Sequence, residues 1–478
     1  MKRSALLLLL ACWVLPEAIG QSTVPATAPA TAPALPDPDP RYKADVLLIV
    51  AHPDDDAVIG GYLARISLDE HKRVAVVYCT NGDGGGNAIG SESGAALGQM
   101  RMQEANRALA SIGIENVWFL EGHDTPGQNV LHSLDHWNHG LALDEVVRLV
   151  RITRPDVILT WLPDYVVGEN HEDHQASGVL ATEAFDSAGD PLQFPEQVSP
   201  VRDRFGMANL AEGLQPWQPK KIYYFTDAFE VFGPYWHDAS SRSPFRKSMV
   251  EGAGPRYDNT KISRSRHKSY AQIAAEMETF YLTQEGQRGA DALKSGNLKD
   301  WEYPYPLIFG KSLVGGAQTG DVFENITADP VPFHKQERTG LVDSGPRLSL
   351  EIGDPWHFYS KFWKAHGLDH LADLVPVPEA AVRFGDPLHI AMLACNTTSK
   401  SAEITVNAEL ATGWTDQTQF HHYPVRPGDC YPVSGHVIAP AGGKVEWQEL
   451  RWNGRAGSQE IGTVTVRVYV GQDGGLPQ

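Results

Sequence analysis

The most constraining feature of the sequence is a series of short apolar runs that alternate with helical segments between residues 45 and 161. The runs are as long as strands, and such continuous apolar character is typical of strands buried on both faces. They cover 45–51, 74–79, 116–120 and 156–161. Apolar residues at helical spacing fall in the intervening segments 56–71, 98–112 and 143–153. This alternation predicts an α/β fold with a Rossmann-like, mostly parallel, doubly wound sheet.

The pattern changes in the C-terminal part of the chain, where apolar and polar residues alternate. We predict strands over 388–393, 402–406, 444–447 and 461–470. Short strands of this kind are typical of a β-sandwich of about 100 residues. The chain therefore divides into an α/β domain (42–335), a connector (336–376) with a helix over 356–374, and a β-sandwich module (377–478). Within the α/β domain, 187–335 is irregular apart from one predicted helix over 270–282, and we expect it to shape a pocket.

The N-terminus has the pattern of a secretory signal peptide over residues 1–20. A basic start precedes the apolar run 6–15, and Ala18-Ile19-Gly20 is a small-x-small cleavage signal. Residues 21–41 are rich in Pro, Ala and Thr and predict an extended tether. We therefore expect a secreted or periplasmic bacterial protein with no transmembrane anchor in the mature chain. A loose lipobox around Cys12 leaves a lipid anchor open as the alternative.

Net charge restricts the kinds of partner, and the cysteines restrict the possible disulfides. The formal net charge is −19, which argues against nucleic acid as a partner, because nucleic-acid binding requires a basic surface. Cys79 lies in a predicted strand and is expected to be buried. Cys395 and Cys430 either form a disulfide, which an oxidising compartment permits, or stay separate thiols.

Two clusters of polar residues follow predicted strands. His52-Pro53-Asp54-Asp55-Asp56 comes directly after the first strand, and His171-Glu172-Asp173-His174 follows the fourth. Ligands of doubly wound sheets bind beyond the carboxyl ends of the strands. His171 and His174 are spaced i, i+3, so they share one face of a helical turn, and with His52 and Asp55 they can supply a His/His/carboxylate zinc set. The alternative is a solvated turn whose acidic residues suit a helix N-terminus, and we assign Asp56 alone to it.

The two clusters stand in a fixed order with two further motifs. These are Thr80-Asn81-Gly82 and Arg101-Met102-Gln103-Glu104. In this order the motifs resemble those of the LmbE-like (PIG-L-type) zinc-dependent de-N-acetylases, over residues 45–184. Two positions depart from the family pattern, Asp56 in place of Glu and Tyr270 in place of Gln. Because of these departures, the motifs do not determine the particular substrate.

The resemblance implies roles for the polar residues. His52, Asp55 and His174 would bind Zn²⁺, Asp54 would act as the general base, and His171 would stabilise or protonate the tetrahedral intermediate.

Three further residues are predicted to contact substrate. Arg101 lies on the helix after the glycine-rich loop, Asp124 follows the third strand, and Asn81 belongs to the second motif. For Arg101, a surface pairing with Glu104 is the alternative.

The leading hypothesis is a zinc-dependent hydrolase that removes the acetyl group of an N-acetylated amino sugar of the N-acetylglucosaminyl type. Its partner would be a small molecule or glycan that carries N-acetyl groups. One alternative is a carbohydrate-binding or surface-attachment protein with a silent α/β domain, whose C-terminal aromatic rings would stack on sugars. Those rings are Trp414, Tyr423, Trp447, Trp452 and Tyr469. The other alternative is a zinc amidase or esterase that acts on a non-sugar substrate.

Overall fold

The structure of the protein is a computed structural model. It describes residues 39–163, 171–199, 212–226, 252–304, 306–333, 335, 345–372, 378–472 and 474. The predicted signal peptide, nearly all of the tether and Cys12 lie outside these residues, so the localisation and the lipid anchor stay predictions. Within the described part of the chain, no helix is long and apolar enough to cross a bilayer.

A six-stranded sheet forms the centre of the α/β domain. Its strands are β1 (Val46–Val50), β2 (Val74–Thr80), β3 (Asn116–Gly122), β4 (Val157–Trp161), β5 (Lys221–Phe225) and β6 (Ile308–Ser312). They lie in the order β3-β2-β1-β4-β5-β6, and every neighbouring pair is parallel except β5–β6. The predicted α/β domain with a mostly parallel sheet is confirmed.

Helices cover both faces of this sheet. They are α1 (Gly60–Ala64), α2 (Ala95–Ser111), α3 (Val130–His136), α4 (His139–Thr153), α5 (Glu172–Ser187), α6 (Pro195–Val198), α7 (Tyr270–Glu278), α8 (Gly286–Ser295) and α9 (Lys299–Glu302). The predicted helix over 56–71 is broken into a 3₁₀ turn (Asp55–Ile59), α1 and a π turn (Arg65–Asp69). Gly61 of α1 allows the close approach of Asn259, whose Oδ1 would lie 2.6 Å from a Cβ at that position.

Alternate residues of the strands enter two apolar layers. Leu47 and Ile49 of β1 face one cluster, while Val46, Leu48 and Val50 face the other, and all five are fully buried. Burying each such side chain contributes about 1.5–3 kcal/mol. The continuous apolar runs of the sequence therefore reflect a sheet that is covered on both sides.

The C-terminal part is rich in strands. These are β7 (Leu348–Ile352), β8 (Glu379–Arg383), β9 (Pro387–Asn396), β10 (Ala402–Glu409), β11 (Thr415–Asp416), β12 (His422–Val425), β13 (Cys430–Ile438), β14 (Glu446–Ala456) and β15 (Gln459–Gly471). One sheet has the order β12-β10-β14-β15-β8 and the other β11-β13-β9-β7, with only β15–β8 parallel. Both sheets contribute to one apolar cluster. A β-rich C-terminal part is thus observed, and its closure as a sandwich stays a prediction.

The connector, 336–376, contains a strand in addition to helices. It contributes strand β7, which pairs with β9. The following helices, α10 (Asp354–Ala365) and α11 (Asp369–Ala372), replace the predicted helix over 356–374. Tyr359, Phe362 and Trp363 of α10 belong to an apolar cluster of the α/β domain. Because one half of this segment completes a C-terminal sheet and the other half the α/β core, it is an integral part of both.

The cysteines are placed by strand register. Cys395 of β9 lies directly opposite Cys430 of β13, and the two form a disulfide. Cys79 is a free thiol at the end of β2 and is 2% exposed, as expected.

Candidate metal and substrate site

The predicted site residues meet at the carboxyl edge of the parallel strands. His52, Asp54 and Asp55 follow β1, and Asp124 follows β3. His174 lies in the first turn of α5, which comes after β4 in the chain. Parallel strands bring their carboxyl ends to one edge, so clusters far apart in sequence become neighbours there.

Three atoms of the predicted ligand set, two imidazole nitrogens and one carboxylate oxygen, lie close together. Asp55 Oδ1 lies 3.1 Å from His174 Nε2 and 3.6 Å from His52 Nδ1. Ligand atoms around a tetrahedral zinc ion lie roughly 3.3 Å apart, given bonds of about 2.0–2.1 Å. The two distances from Asp55 to the imidazoles therefore match the spacing that such an ion needs.

Asp55 is held as a carboxylate. Its Oδ2 accepts hydrogen bonds from the backbone N–H groups of Ala51 (2.8 Å) and His52 (2.9 Å) and from Trp161 Nε1 (2.7 Å). Burial by itself would raise the pKa of Asp55, but the charge and hydrogen bond of His174, together with His52, keep the pKa well below its ordinary value. The second oxygen, Oδ1, is left facing the two imidazoles.

Asp173 orients His52, and the sequence argument gave it no role. Its Oδ2 lies 3.2 Å from His52 Nε2 and also accepts the Thr125 N–H at 2.8 Å. The Thr125 hydroxyl donates to Oδ1 at 2.5 Å, and Asp173 is fully buried. A carboxylate that accepts from one ring nitrogen leaves the other, His52 Nδ1, free for a metal. The signal was present in the sequence, because Asp173 stands between the two histidines of the second cluster.

His174 is fixed by stacking and has an unsatisfied polar atom. Its ring lies 4.1 Å from the ring of Trp161 at an interplanar angle of 11°. Its Nδ1 is buried with no hydrogen-bond partner among the residues that the structure describes. Ligand atoms of His52, His171 and His174 also lie within 4.8 Å of one another, so His171 is within reach of the same ion. A buried, convergent set of imidazoles and one carboxylate fits a zinc-type ion.

His171 is a neutral imidazole. Burial, followed by the neighbouring His174 and His52, lowers its pKa to about 3. Its Nδ1 accepts the Asp173 N–H at 3.4 Å as the N-cap of α5. The ring proton of the neutral form therefore sits on Nε2, which can donate a hydrogen bond.

Asp54, the predicted general base, has a strained backbone. Its φ is 123°, a region that residues other than glycine rarely adopt and that costs about 1–3 kcal/mol. Burial and the charge of Asp55 raise the pKa of its carboxyl well above the ordinary value. The side chain is partly exposed and lines a cavity.

This cavity has a volume of about 600 Å³ and contains all the predicted metal and catalytic residues. Arg101 and Asp124 line it as well, whereas Asn81 is not among its described lining residues. Asn81 instead packs on α2, where a Cβ at Gly98 would lie 2.7 Å from its Cγ. The structure therefore places two of the three predicted substrate contacts at the cavity.

Arg101 and Asp124 shape the loops around this cavity. Arg101 is 6% exposed and donates to the carbonyls of Gly82 and Gly86, both at 2.8 Å. The alternative of a surface pairing with Glu104 is therefore wrong. Asp124 accepts from the Thr80 hydroxyl at 2.6 Å and from the Gly84 N–H at 3.0 Å. Both residues fix the glycine-rich loop after β2.

A strap formed by residues 281–284 joins the motifs, although no sequence motif marks it. The Tyr281 hydroxyl donates to Asp56 (2.6 Å), and the Thr283 hydroxyl to Glu104 (2.7 Å). Gln284 Nε2 donates to the carbonyl of Pro53 at 2.6 Å. The strap thus ties the turn that carries Asp54, called the general-base turn below, to α2, the helix that carries the Arg-x-x-Glu motif.

The assignment of Asp56 to a solvated turn is wrong. It is fully buried and accepts hydrogen bonds from the hydroxyls of Tyr78 (2.5 Å) and Tyr281 (2.6 Å). Burial, only partly offset by these bonds, raises its pKa to about 6. The two tyrosine donors come from β2 and from the strap, and neither is adjacent to Asp56 in sequence.

Comparisons with known proteins agree with this architecture. The family model of the PIG-L GlcNAc-PI de-N-acetylases matches residues 47–185. A 1D-myo-inositol 2-acetamido-2-deoxy-alpha-D-glucopyranoside deacetylase from Rhodococcus erythropolis is 30% identical, over 36% of this chain and 67% of its own length. A similarly named deacetylase 1 from Frankia alni is 30% identical, over 36% of this chain and 59% of its own. Diacetylchitobiose deacetylase from Thermococcus kodakarensis is 29% identical, over 38% and 60%.

The stretch that the family model matches carries His52, Asp55 and His174. The chain belongs to the PIG-L (LmbE-like) family. The chain spans about three fifths of the length of two of these relatives. Both act, by their names, on substrates that contain an N-acetylated glucosamine unit.

Proposed function

We propose that the protein is a zinc-dependent hydrolase that removes the acetyl group from an N-acetylated amino sugar. The observation that carries the proposal is the convergence of His52 Nδ1 and His174 Nε2 on Asp55 Oδ1, inside a cavity that also holds Asp54 and His171. The names of the relatives support an N-acetylglucosaminyl substrate.

His52, Asp55 and His174 would hold the metal ion, with His171 within reach of it. When bound, such an ion polarises the amide carbonyl and makes water more acidic. The Asp54 carboxylate then accepts the proton of the attacking water, and its raised pKa suits a group that must keep that proton. The N–H at His171 Nε2 can donate to the oxygen on which negative charge develops.

Three of the five C-terminal aromatic rings give no support to the alternative of a carbohydrate-binding protein. Trp414, Tyr423 and Trp452 are each less than 9% exposed and belong to the apolar cluster of the C-terminal sheets. Rings buried in a core cannot stack on a sugar. A silent α/β domain also would not need an aspartate held in a strained backbone beside three imidazoles.

The proposal is tested by acetate release from N-acetylglucosamine and N,N'-diacetylchitobiose. Asp54→Asn should keep the bound metal, because Asp54 is not an implied ligand, and should lower kcat by about 10²–10⁴-fold. Glu92→Gln, in the exposed loop after β2, is the matched control and should behave as wild type. Acetate release by Asp54→Asn at the wild-type rate would refute the assigned base, and no release from any acetylated sugar would refute the function.

A further inference from the structure

The cavity extends beyond the metal cluster to a second wall built from α7, α8 and α9. The residues of this α7–α9 wall are Glu278, Glu285, Arg288, Asp300, Trp301 and Tyr303. Ligand cavities of about 300–1,000 Å³ hold molecules of drug size, and this one measures about 600 Å³. The space therefore exceeds what an acetamido group at the metal requires.

The α7–α9 wall is organised around one buried carboxylate. Glu278 is 3% exposed, and its Oε2 accepts from Trp301 Nε1 at 2.8 Å. Its Oε1 accepts from Arg288 Nε at 3.1 Å, and the guanidinium lies 5.0 Å from the centre of the Trp301 ring. These bonds fix Arg288 before any ligand arrives, which reduces the entropy lost on binding.

The wall offers polar groups that suit a polyhydroxyl ligand. Arg288 Nε also lies 2.8 Å from Glu285 Oε2, and the two side chains are 44% and 62% exposed, so their remaining polar atoms can exchange hydrogen bonds with a bound molecule. Tyr303 is half-buried and supplies a ring edge or face beside them. Carboxylates, a guanidinium and an aromatic ring are groups that bind sugar hydroxyls and the apolar face of a sugar ring.

The charge of the cavity restricts the ligand further. Among its described lining residues are seven carboxylates and only two guanidinium groups, so the lining stays negative even with a divalent cation bound. Three of the carboxylates, Glu278, Glu285 and Asp300, lie on the α7–α9 wall beside a single cation, Arg288. An anionic group placed against this wall would be repelled.

We propose that the α7–α9 wall binds the group to which the N-acetylated sugar is attached, and that it selects an uncharged or cationic group, such as a second sugar, over an anionic one. This inference rests on the proposed deacetylase function. Each carboxylate within about 8 Å of a ligand charge changes affinity roughly two- to sixfold at effective dielectric constants of about 40–80. Two such carboxylates therefore favour the affinity for an uncharged group over that for an anionic group by about tenfold.

The test compares acetate release from N-acetylglucosamine, N,N'-diacetylchitobiose and N-acetylglucosamine 1-phosphate. For wild type, kcat/KM should be highest for the neutral disaccharide and lowest for the phosphate. Glu285→Gln combined with Asp300→Asn should raise kcat/KM for the phosphate about tenfold relative to the monosaccharide. Arg288→Ala should lower the ratio of disaccharide to monosaccharide kcat/KM about tenfold. Glu302→Gln, exposed on α9 and outside the described lining, is the control.

Equal kcat/KM on the three substrates, or variants that behave as Glu302→Gln does, would overturn the subsite while leaving the deacetylase function in place. Wild-type protein that releases no acetate from any of the three would overturn both. The two side chains replaced in the double variant, Glu285 and Asp300, are exposed or partly exposed, so the double variant should fold. Its result therefore tests the subsite even if Arg288→Ala does not fold.

Discussion

Gln284 should control catalysis although it is distant in sequence from every motif. Its Nε2 donates at 2.6 Å to the carbonyl of Pro53, between His52 and Asp54. This bond supports a turn in which Asp54 has a φ of 123°. A neutral hydrogen bond contributes about 0.5–1.5 kcal/mol, and the strain it opposes is of the same size.

Gln284→Ala removes the donor and lets the general-base turn relax. If about 1.4 kcal/mol is lost from the transition state, kcat falls about tenfold. We expect metal content to change less than twofold, because Gln284 is not an implied ligand, and kcat to fall by more than KM rises, because Gln284 lines the cavity but does not belong to the α7–α9 wall. Acetate release under saturating substrate measures kcat, and metal analysis of the same preparation excludes loss of the ion.

Gln287→Ala is the matched control, because Gln287 is exposed and bonds only to Asp291 among the described residues. Gln284→Glu has nearly the same shape but no amide donor, so it should resemble Gln284→Ala. A kcat for Gln284→Ala equal to that of the control, or a loss that appears only in KM, would refute the positioning role.

Three further predictions concern stability. Asp56 has a folded-state pKa near 6 against an ordinary 3.8, so the folded protein binds its proton more tightly than the unfolded chain does. The free energy of unfolding, relative to Asp56→Asn, should therefore rise by about 2 kcal/mol as pH falls from 6 to 4. A difference in the free energy of unfolding between the two proteins that does not change with pH, measured by urea titrations, would contradict this prediction. Phe362→Ala in α10 should cost about 3–5 kcal/mol and lower the melting temperature of the α/β domain, whereas an exposed Lys361→Ala should not. Replacing Cys395 and Cys430 by serine opens a 35-residue loop and should cost about 3–4 kcal/mol without changing acetate release per folded molecule.

Much of the α/β domain follows from local sequence signals. The strands β1, β2 and β4 are continuous apolar runs that are buried along their whole length, as such runs predict, whereas β3 at the edge of the sheet is only partly buried. Because polar clusters directly follow such strands, the position of the site at the carboxyl edge of the sheet was also predictable.

The supporting contacts were not predictable, because they depend on pairs of residues far apart in the chain. Asp56 lies next to the implied ligand Asp55, but its partner Tyr281 is 225 residues away. Glu104 resembles a surface residue of α2 until Thr283 is placed against it. A periodicity argument describes which face of one element is apolar, and it carries no information about which distant loop will cross that element.

Strand β7 was missed for a different reason. Its five residues alternate as a strand does, but they precede an aromatic helix by only one residue. The helical signal of α10 is stronger, and the helix over 356–374 was the only element predicted in the connector. Only the pairing of β7 with β9 shows that the strand belongs to the C-terminal sheet.

The measurement that tests the central claim most directly is the zinc content of purified protein, taken together with acetate release. Wild type should bind one zinc ion per chain, and His174→Ala should lose both the ion and at least about 100-fold of its activity. His389→Ala, on an exposed position of β9, is the matched control and should lose neither. Wild-type protein that is free of metal yet releases acetate at full rate would contradict the account.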